Sequence, residues 1–333
     1  MGVAFQWWVR NQEFHCIDKN QRESQKFMSV YLAKINVAAG VSRLGMGLLL
    51  CAAASIAYGN NTLSKIRDTK TITIAYRDAS LPFSFLDGDK KPIGYAIDLC
   101  LKIADAVKSQ LKLSQLDIVY LPVTSDNRMQ MITDGKADME CGSTANTAAR
   151  RKLVDFTIPH FITAARMLVR TDSGIKNWPD LRNKKVVATK GTVNMQTLNE
   201  RGQVRSLNLT TLEGRDHNDS FRMLETRAAD AFATDDVLLY GLRATAKDPS
   251  AYAVVGDPLS TSAYAIMMRK NDATFKAMVD REMARIIQDG EIYKMYAKWF
   301  LNPISAKNNM NMNMPMNFLL KDSFQYPSDK VSD

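Results

Sequence analysis

Short runs of alternating apolar and polar residues, rich in β-branched side chains, recur along the chain from residue 72 onwards and predict strands. These strands are predicted at 72–76, 118–123, 137–141, 166–170, 185–189, 229–234 and 263–268. Between them, apolar positions spaced three and four residues apart predict amphipathic helices. The helices fall at 97–107, at 127–133, after Gly191 and at 275–287. This order predicts an α/β fold with helices packed on mostly parallel sheets.

One apolar run stands apart from this alternation. Residues 44–57 read LGMGLLLCAAASIA, carry no charge and follow Arg43. The run is shorter than the roughly 20 residues of a membrane-spanning helix. It has the length of the apolar region of a secretory signal, and Ser55 and Ala57 are the small residues that a signal peptidase requires. We predict that residues 1–57 are an N-terminal extension and signal peptide, cleaved after Ala57; the alternative is an uncleaved anchor.

The composition is that of a folded globular protein and narrows the choice of partners. Hydrophobic residues make up 46% and charged residues 24% of the 333 positions, which excludes disorder as the dominant state. The net charge is +9, but no basic stripe with interleaved aromatic residues is visible, so we expect no nucleic-acid partner. With 3 histidines and 4 cysteines, there is little material for a metal centre.

Two cysteines, Cys100 and Cys141, lie beyond the predicted signal peptide. An exported protein meets oxidising conditions, in which these cysteines can form a disulfide bond. Equally, Cys100 falls on the apolar face of the helix predicted at 97–107 and can be an ordinary core residue. The sequence leaves both alternatives open.

Polar residues that follow the predicted strands carry the functional signal, because ligands of α/β sheets bind at the carboxyl ends of strands. Three arginines occupy such positions: Arg77, Arg128 and Arg150. Arginine is suited to bidentate carboxylate binding. Helix N-termini expected after Ser143 and Gly191 add free N–H groups. The pattern therefore predicts an anionic ligand.

Several segments in these loops resemble a known family. They are LPFSF at 81–85, TSDNR at 124–128, ECGSTAN at 140–146, DHNDSF at 216–221 and the aspartate pair at 235–236. In this order they resemble the solute-binding proteins of ABC amino-acid importers, most closely those for glutamate and aspartate, over about residues 62–318.

The resemblance implies a two-lobed type II periplasmic binding fold that closes on its ligand. Lobe 1 would comprise 58–167 plus 262–333 and lobe 2 would comprise 168–261, with crossing strands near 168–170 and 263–268. It also implies a periplasmic, non-catalytic monomer without cofactor or metal, which captures acidic L-amino acids and hands them to a membrane-embedded ABC permease.

The resemblance assigns roles to individual residues. It gives the ligand α-carboxylate to Arg150, with donors near Ser143 and Ala145. It gives the ammonium group to Asp235 and the region of Ser143.

The remaining cations suggest an acidic ligand side chain. Arg77 and Arg128, with Ser125 and His217 beside them, would pair with a second carboxylate, and Thr192 would add a bond when the lobes close. A neutral side chain would leave two guanidinium groups desolvated and unpaired, which is costly.

One position departs from the family pattern. The family has threonine where this chain has Ala145, and Val193 likewise replaces a hydroxylated residue next to Thr192. A hydrogen bond to a charged group contributes about 1.5–3 kcal/mol, so the loss of one hydroxyl lowers affinity roughly 10- to 100-fold or moves the preference to another dicarboxylate. The choice between glutamate and aspartate stays open.

Two other interpretations are weighed against this one. Some proteins of this fold are dehydratases, whose chemistry needs a general acid in the cleft; Glu140 is the nearby carboxylate besides Asp235. In the tail, the alternating methionines of residues 308–317 either bind Cu(I) through their thioethers or pack on lobe 1.

Overall fold

The computed structural model describes residues 61–331. The predicted signal peptide and its cleavage site lie outside the described residues. The strands are β1 Thr71–Tyr76, β2 Ala79–Ser80, β3 Ser84–Leu86, β4 Pro92–Ile93, β5 Asp117–Pro122, β6 Met139–Cys141, β7 Val154–Phe156, β8 Phe161–Arg170, β9 Lys185–Thr189, β10 Thr210–Gly214, β11 Ala231–Asp235, β12 Tyr252–Val255, β13 Thr261–Tyr264 and β14 Met267–Arg269.

The helices alternate with these strands, as the apolar spacing predicts. They are α1 Thr62–Thr69, α2 Tyr95–Gln110, α3 Arg128–Thr133, α4 Ala148–Arg151, α5 Val193–Val204, α6 His217–Glu225, α7 Asp236–Thr245, α8 Ala273–Gln288, α9 Glu291–Tyr296 and α10 Phe318–Gln325. Within residues 61–331, none of them has the length and hydropathy needed to cross a bilayer.

Two sheets form the framework of a two-lobed α/β fold. The first has the strand order β5-β1-β6-β14-β7, and the second has the order β10-β9-β11-β8-β12. The sheets are mixed rather than mostly parallel: β1 runs parallel to β5 and β6, whereas β14 is antiparallel to both of its neighbours. The expectation of mostly parallel sheets is wrong here because β8 and β14 enter their sheets from crossing segments rather than from crossover helices.

A pair of crossing strands connects the two sheets. The first part of β8, Phe161–Ala164, pairs with β13, and from Ala165 onwards β8 pairs with β11 and β12 of the second sheet. The crossing strand expected near Leu168–Arg170 is β8, but its crossing part lies earlier, at residues 161–164, because Leu168–Arg170 have ladder partners inside the second sheet. The predicted lobe limits lie close to this change of partners and stay a prediction.

The strand predicted at 263–268 is divided into β13 and β14. Ala265 N–H donates to the Thr144 carbonyl and Ile266 N–H donates to Thr157 Oγ1. These two bonds take the backbone out of the ladder with β8 and lead it into the first sheet. The alternation of apolar and polar residues continues through residues 265–266, so the sequence pattern does not reveal the division between β13 and β14.

Apolar side chains cover both faces of each sheet. On one face of the first sheet, Ile97 and Ile103 of α2 pack with Met283 of α8, and on the other face Ile132 packs with Phe156. The methionines of the tail are half-buried against the core of the first sheet; they are Met310, Met312, Met314 and Met316. Their position favours packing over copper binding.

A disulfide bond fixes the helix beneath the first sheet. Cys100 of α2 and Cys141 of β6 are bonded, with their Cα atoms 6.4 Å apart. Of the two alternatives left by the sequence, pairing is therefore confirmed. The bond anchors the end of β6, from which residues 142–146 lead into the candidate site.

Candidate functional site

Arg77 follows β1 directly, at the carboxyl end of this strand, and is among the largest fully buried side chains of the described residues. It is 1% exposed, and its Nη1 and Nη2 have no hydrogen-bond partner among the described residues. Burial, together with the neighbouring charge of Arg128, lowers its pKa to about 10, so it stays protonated at neutral pH. A buried cation whose two terminal nitrogens point at no acceptor is an unsatisfied group of high cost.

Arg128, the first residue of α3, lies beside Arg77 and is 2% exposed. Its Nη1 donates to Thr144 Oγ1 at 2.6 Å, and Thr144 Oγ1 in turn donates to Glu140 Oε2 at 2.6 Å. Its Nε has no partner among residues 61–331. Burial lowers the pKa of Arg128, and Glu140 acts in the opposite direction.

Arg150 connects the two lobes. Its Nη1 donates to the Ala145 carbonyl at 2.9 Å, and its Nη2 donates across the cleft to the Gly191 carbonyl at 3.2 Å. Burial and the charge of Arg128 lower its pKa to about 9. Arg150 therefore carries a positive charge that is close to both lobes.

The helix expected after Ser143 forms as α4, with Arg150 in its first turn, but it begins further along the chain. Ala145 bridges to Tyr264, and Asn146 N–H donates to the Ala263 carbonyl. These bonds hold residues 143–146 in an extended segment, and α4 begins only at Ala148. The Ser143 hydroxyl donates to Ser80 Oγ at 3.2 Å.

Asp235 is the buried acid of the site, at the end of β11 and 4% exposed. Its Oδ2 accepts a hydrogen bond from the Tyr264 hydroxyl, and its Oδ1 has no partner in the described part of the chain. Burial raises its pKa to about 6, while the bond from Tyr264 acts in the opposite direction. Asp236, its neighbour, turns away and accepts from Thr163 Oγ1 at 2.6 Å.

His217 and Ser125 are buried at the edge of the arginine cluster. His217 Nδ1 lies 2.8 Å from Thr189 Oγ1, and burial, followed by the charges of Arg77 and Arg128, lowers its pKa well below the usual value. The imidazole is therefore neutral. The Ser125 hydroxyl is buried without a partner among residues 61–331.

The N-terminus of α5 faces the arginines from the second lobe. Thr192 is its N-cap and accepts from Met195 N–H at 3.3 Å, while its hydroxyl donates to the Thr189 carbonyl at 2.6 Å. The backbone N–H groups of Val193 and Asn194 are in the first turn, where helices leave donors unsatisfied. The helix end therefore offers donors to an anion.

These side chains line a small cavity between the lobes. Of the nine predicted site residues, seven line the cavity: Arg128, Ser143, Ala145, Arg150, Thr192, His217 and Asp235. Arg77 and Ser125 are buried beside it.

The cleft carries a small positive charge. Three guanidinium groups face two carboxylates, Glu140 and Asp235, and the imidazole of His217 is neutral. The charges of the half-buried Arg150 and of the buried Arg77, Arg128, Glu140 and Asp235 therefore sum to +1, with the more exposed carboxylates of Asp78 and Asp216 outside this count. A ligand with a net charge of −1 would neutralise it.

Four residues that line the cavity were not predicted as ligand contacts from the sequence: Val193, Asn194, Thr234 and Leu238. Asn194 and Val193 follow the predicted Thr192 directly, so extending the helix N-terminus by one turn would have found them. Leu238 lies on α7, one turn after Asp235, and an apolar residue in a helix gives no signal of this kind.

Comparison with known proteins identifies the family. Residues 72–302 match the bacterial extracellular solute-binding proteins, family 3. The chain belongs to this family. An L-glutamate/L-aspartate-binding protein of Pseudomonas aeruginosa is 42% identical over 273 residues, covering 82% of this chain and 90% of the relative. A glutamate/aspartate import solute-binding protein of Escherichia coli is 39% identical and covers 86% of this chain and 95% of the relative.

Solved structures confirm the fold. An ABC uptake transporter substrate-binding protein from Streptococcus pneumoniae with bound histidine superimposes with a TM-score of 0.65 at 22% identity, covering 72% of this chain and 96% of that one. An ancestral arginine-binding protein bound to arginine gives a TM-score of 0.62 at 24% identity, covering 69% and 98%. The relatives named here are binding proteins rather than enzymes, which agrees with a non-catalytic role.

Proposed function

We propose that this protein is an extracytoplasmic receptor that captures acidic L-amino acids, glutamate or aspartate, between its two lobes and delivers them to an ABC permease. One observation carries the proposal most strongly. Arg77 is buried with both terminal nitrogens unpartnered among the described residues, beside a second buried arginine. A ligand carboxylate between Arg77 and Arg128 would satisfy both.

The charge of the cleft supports the same ligand class. An acidic amino acid carries two carboxylates and one ammonium group, a net charge of −1, which matches the +1 of the three arginines, Glu140 and Asp235. Two curated relatives at 39–42% identity are named for glutamate and aspartate. A neutral amino acid would leave the second arginine without a counter-charge in a low-dielectric site.

We assign each charged group of the ligand to residues of the cleft. Arg150 pairs with the α-carboxylate, helped by Ser143 and the backbone at Ala145. Asp235 accepts from the ammonium group. Arg77 and Arg128 pair with the side-chain carboxylate, with Ser125 and His217 beside them.

The second lobe completes the site from the N-terminus of α5. The hydroxyl of Thr192 is used in capping the helix, so the contribution of this turn comes through backbone N–H groups at Val193 and Asn194. The hydrogen bond from Arg150 to the Gly191 carbonyl and the ion pair of Lys190 with Asp126 at 3.1 Å would hold the lobes closed. Closure gives the permease a surface that differs from that of the open protein.

The expected location follows from this role. A cleavable signal peptide within residues 1–57 would deliver the protein to the periplasm, where it would act as a monomer without a nucleic-acid partner. The two crossing strands would serve as the hinge between lobe 1 (58–167 plus 262–333) and lobe 2 (168–261).

Calorimetric titration of the protein, refolded to remove carried-over ligand, tests the proposal. We expect L-glutamate and L-aspartate to bind with micromolar or lower Kd, and L-lysine not to bind. Arg77→Met keeps the bulk of the side chain but removes its charge, and should abolish binding of the acidic ligands. The exposed Arg201→Met, on the outer part of α5, is the matched control and should bind as the wild type does. Equal binding by the Arg77 and Arg201 variants would contradict the assignment.

A further inference from the structure

Glu140 is a buried carboxylate that the proposed ligand contacts do not use. It lies in the middle of the first sheet, in register with Ala75 of β1, and is 0% exposed. Its Oε2 accepts from Thr144, but its Oε1 has no hydrogen-bond partner among residues 61–331. A buried carboxylate oxygen without a protein donor is costly, so nearby cations must compensate for it.

The three arginines of the cleft supply that compensation. Burial lowers the pKa of each of them, and Glu140 acts in the opposite direction on all three. Gly142 makes this approach possible, because a Cβ there would lie 2.8 Å from Glu140 Oε1 and 3.1 Å from Arg77 Cγ. The carboxylate and the stem of Arg77 thus occupy the space beside a residue that has no side chain.

Glu140 also fixes the orientation of Arg128. The hydroxyl of Thr144 has one proton, which it donates to Glu140, and its lone pairs are then free to accept from Arg128 Nη1. Both distances are 2.6 Å, and for the bond from the Thr144 hydroxyl to the carboxylate this is the length of a charge-assisted hydrogen bond. The guanidinium group is held at one nitrogen while its Nε is left for another acceptor.

We propose that Glu140 is a specificity-determining residue that keeps the cleft at a net charge of +1, and thereby selects an acidic amino acid over a dicarboxylate that lacks the ammonium group. The inference rests on the proposed function. Glu140 acts through the field in the cleft and through Arg128, without touching the ligand. Without its charge the cleft would carry +2, and a dianion would gain twice the attraction that a monoanion gains.

Two probes of matched shape test this inference. L-Glutamate has a net charge of −1, and glutarate has the same carbon skeleton without the amino group and a net charge of −2. Calorimetry gives Kd for both probes in the wild type, in Glu140→Gln and in Glu140→Asp. Glutamine keeps an acceptor for Thr144 but no charge, whereas aspartate keeps the charge. We expect the glutarate-to-glutamate Kd ratio to fall at least about tenfold in Glu140→Gln and to stay within about threefold of the wild type in Glu140→Asp.

A third variant, Thr144→Val, separates the effect of the Arg128 orientation from the effect of the Glu140 charge. It can be measured even if Glu140→Gln does not fold. It removes the hydroxyl that links Glu140 to Arg128 while the charge of Glu140 remains, so both Kd values should rise and their ratio should stay. An unchanged ratio in Glu140→Gln, or an equal shift in Glu140→Asp or Thr144→Val, would overturn the inference. If the wild type does not bind L-glutamate at all, the proposed function itself fails; if it binds and only the ratio behaves differently, the function stands.

Discussion

Gly191 is the position at which one added methyl group should prevent the lobes from closing. A Cβ there would lie 2.6 Å from Asp126 Cα and from the Ser125 carbonyl oxygen, both on the opposite side of the cleft. These atoms belong to backbone and cannot rotate away, so they would have to retreat by roughly 1 Å to reach ordinary carbon contact at about 3.5–4.0 Å. In Gly191→Ala the closed state should therefore lose its cross-lobe contacts.

The magnitude follows from the bonds at this point. The separation would stretch the bond from Arg150 Nη2 to the Gly191 carbonyl beyond its present 3.2 Å. A hydrogen bond to a charged group is worth about 1.5–3 kcal/mol, so Kd for L-glutamate should rise roughly 10- to 100-fold. The neighbouring ion pair of Lys190 with Asp126 is half-exposed and adds little.

Gly174 provides a matched control for the backbone strain. Gly191 and Gly174 have φ angles of 73° and 71°, but a Cβ at Gly174 meets no atom within 4 Å. Both alanine variants therefore carry the cost of the left-handed conformation, about 1–2 kcal/mol of stability, and only Gly191→Ala carries the clash. Calorimetric Kd values for the two variants and the wild type decide the matter. If Gly191→Ala binds L-glutamate as tightly as Gly174→Ala does, the explanation of closure is refuted.

Three further outcomes are expected. Burial raises the pKa of Asp235 to about 6, and the proposed contact with the ligand ammonium group needs the ionised carboxylate. Kd for L-glutamate should therefore rise as the pH falls through 6, approaching a tenfold increase per pH unit below it. Titrations between pH 7.5 and 5 that give a constant Kd would refute the role of Asp235 in binding the ammonium group. The disulfide between Cys100 and Cys141 closes a loop with a sequence separation of 41, so the Cys100→Ala/Cys141→Ala double variant should lose about 2–4 kcal/mol of unfolding free energy in urea, and an unchanged midpoint and slope would contradict this. Burial lowers the pKa of His160 to about 3, whereas the histidine of the unfolded chain has a pKa of about 6.5. The unfolded state therefore takes up the proton first, and the free energy of unfolding should fall by up to about 1.4 kcal/mol per pH unit as the pH drops below 6.5. In His160→Phe this pH dependence should weaken, and a pH profile identical to that of the wild type would exclude His160 as its source.

The residues that could be predicted from the sequence are those placed by local order alone. Arg77 and Arg128 each come after a strand, and parallel strands bring their carboxyl ends to one edge. Asp235 ends a strand and precedes a helix, so it also reaches the edge that faces the cleft. Once the strands are found, these positions follow without knowledge of the packing.

The contacts that could not be predicted depend on pairing between distant segments. Tyr264 reaches Asp235 only because β13 crosses beside β8, and no local pattern specifies that crossing. Glu140 occupies a strand position that fits the ordinary alternation of apolar and polar residues. Its proposed effect on the charge of the cleft can be inferred only from its contact with Thr144 and its closeness to the arginines. The extended segment after Ser143 is likewise held by bonds to residues more than a hundred positions away, so the expected helix begins only at Ala148.

In the proposed function, the two buried arginines, Arg77 and Arg128, recognise a negatively charged ligand side chain. The most direct measurement compares L-glutamate with L-glutamine by calorimetry in the wild type, because these ligands have nearly the same shape and differ by one charge. We expect L-glutamate to bind at least about 100-fold more tightly, since glutamine leaves a desolvated guanidinium group unpaired. Equal affinity for the two ligands, or tighter binding of L-glutamine, would contradict it.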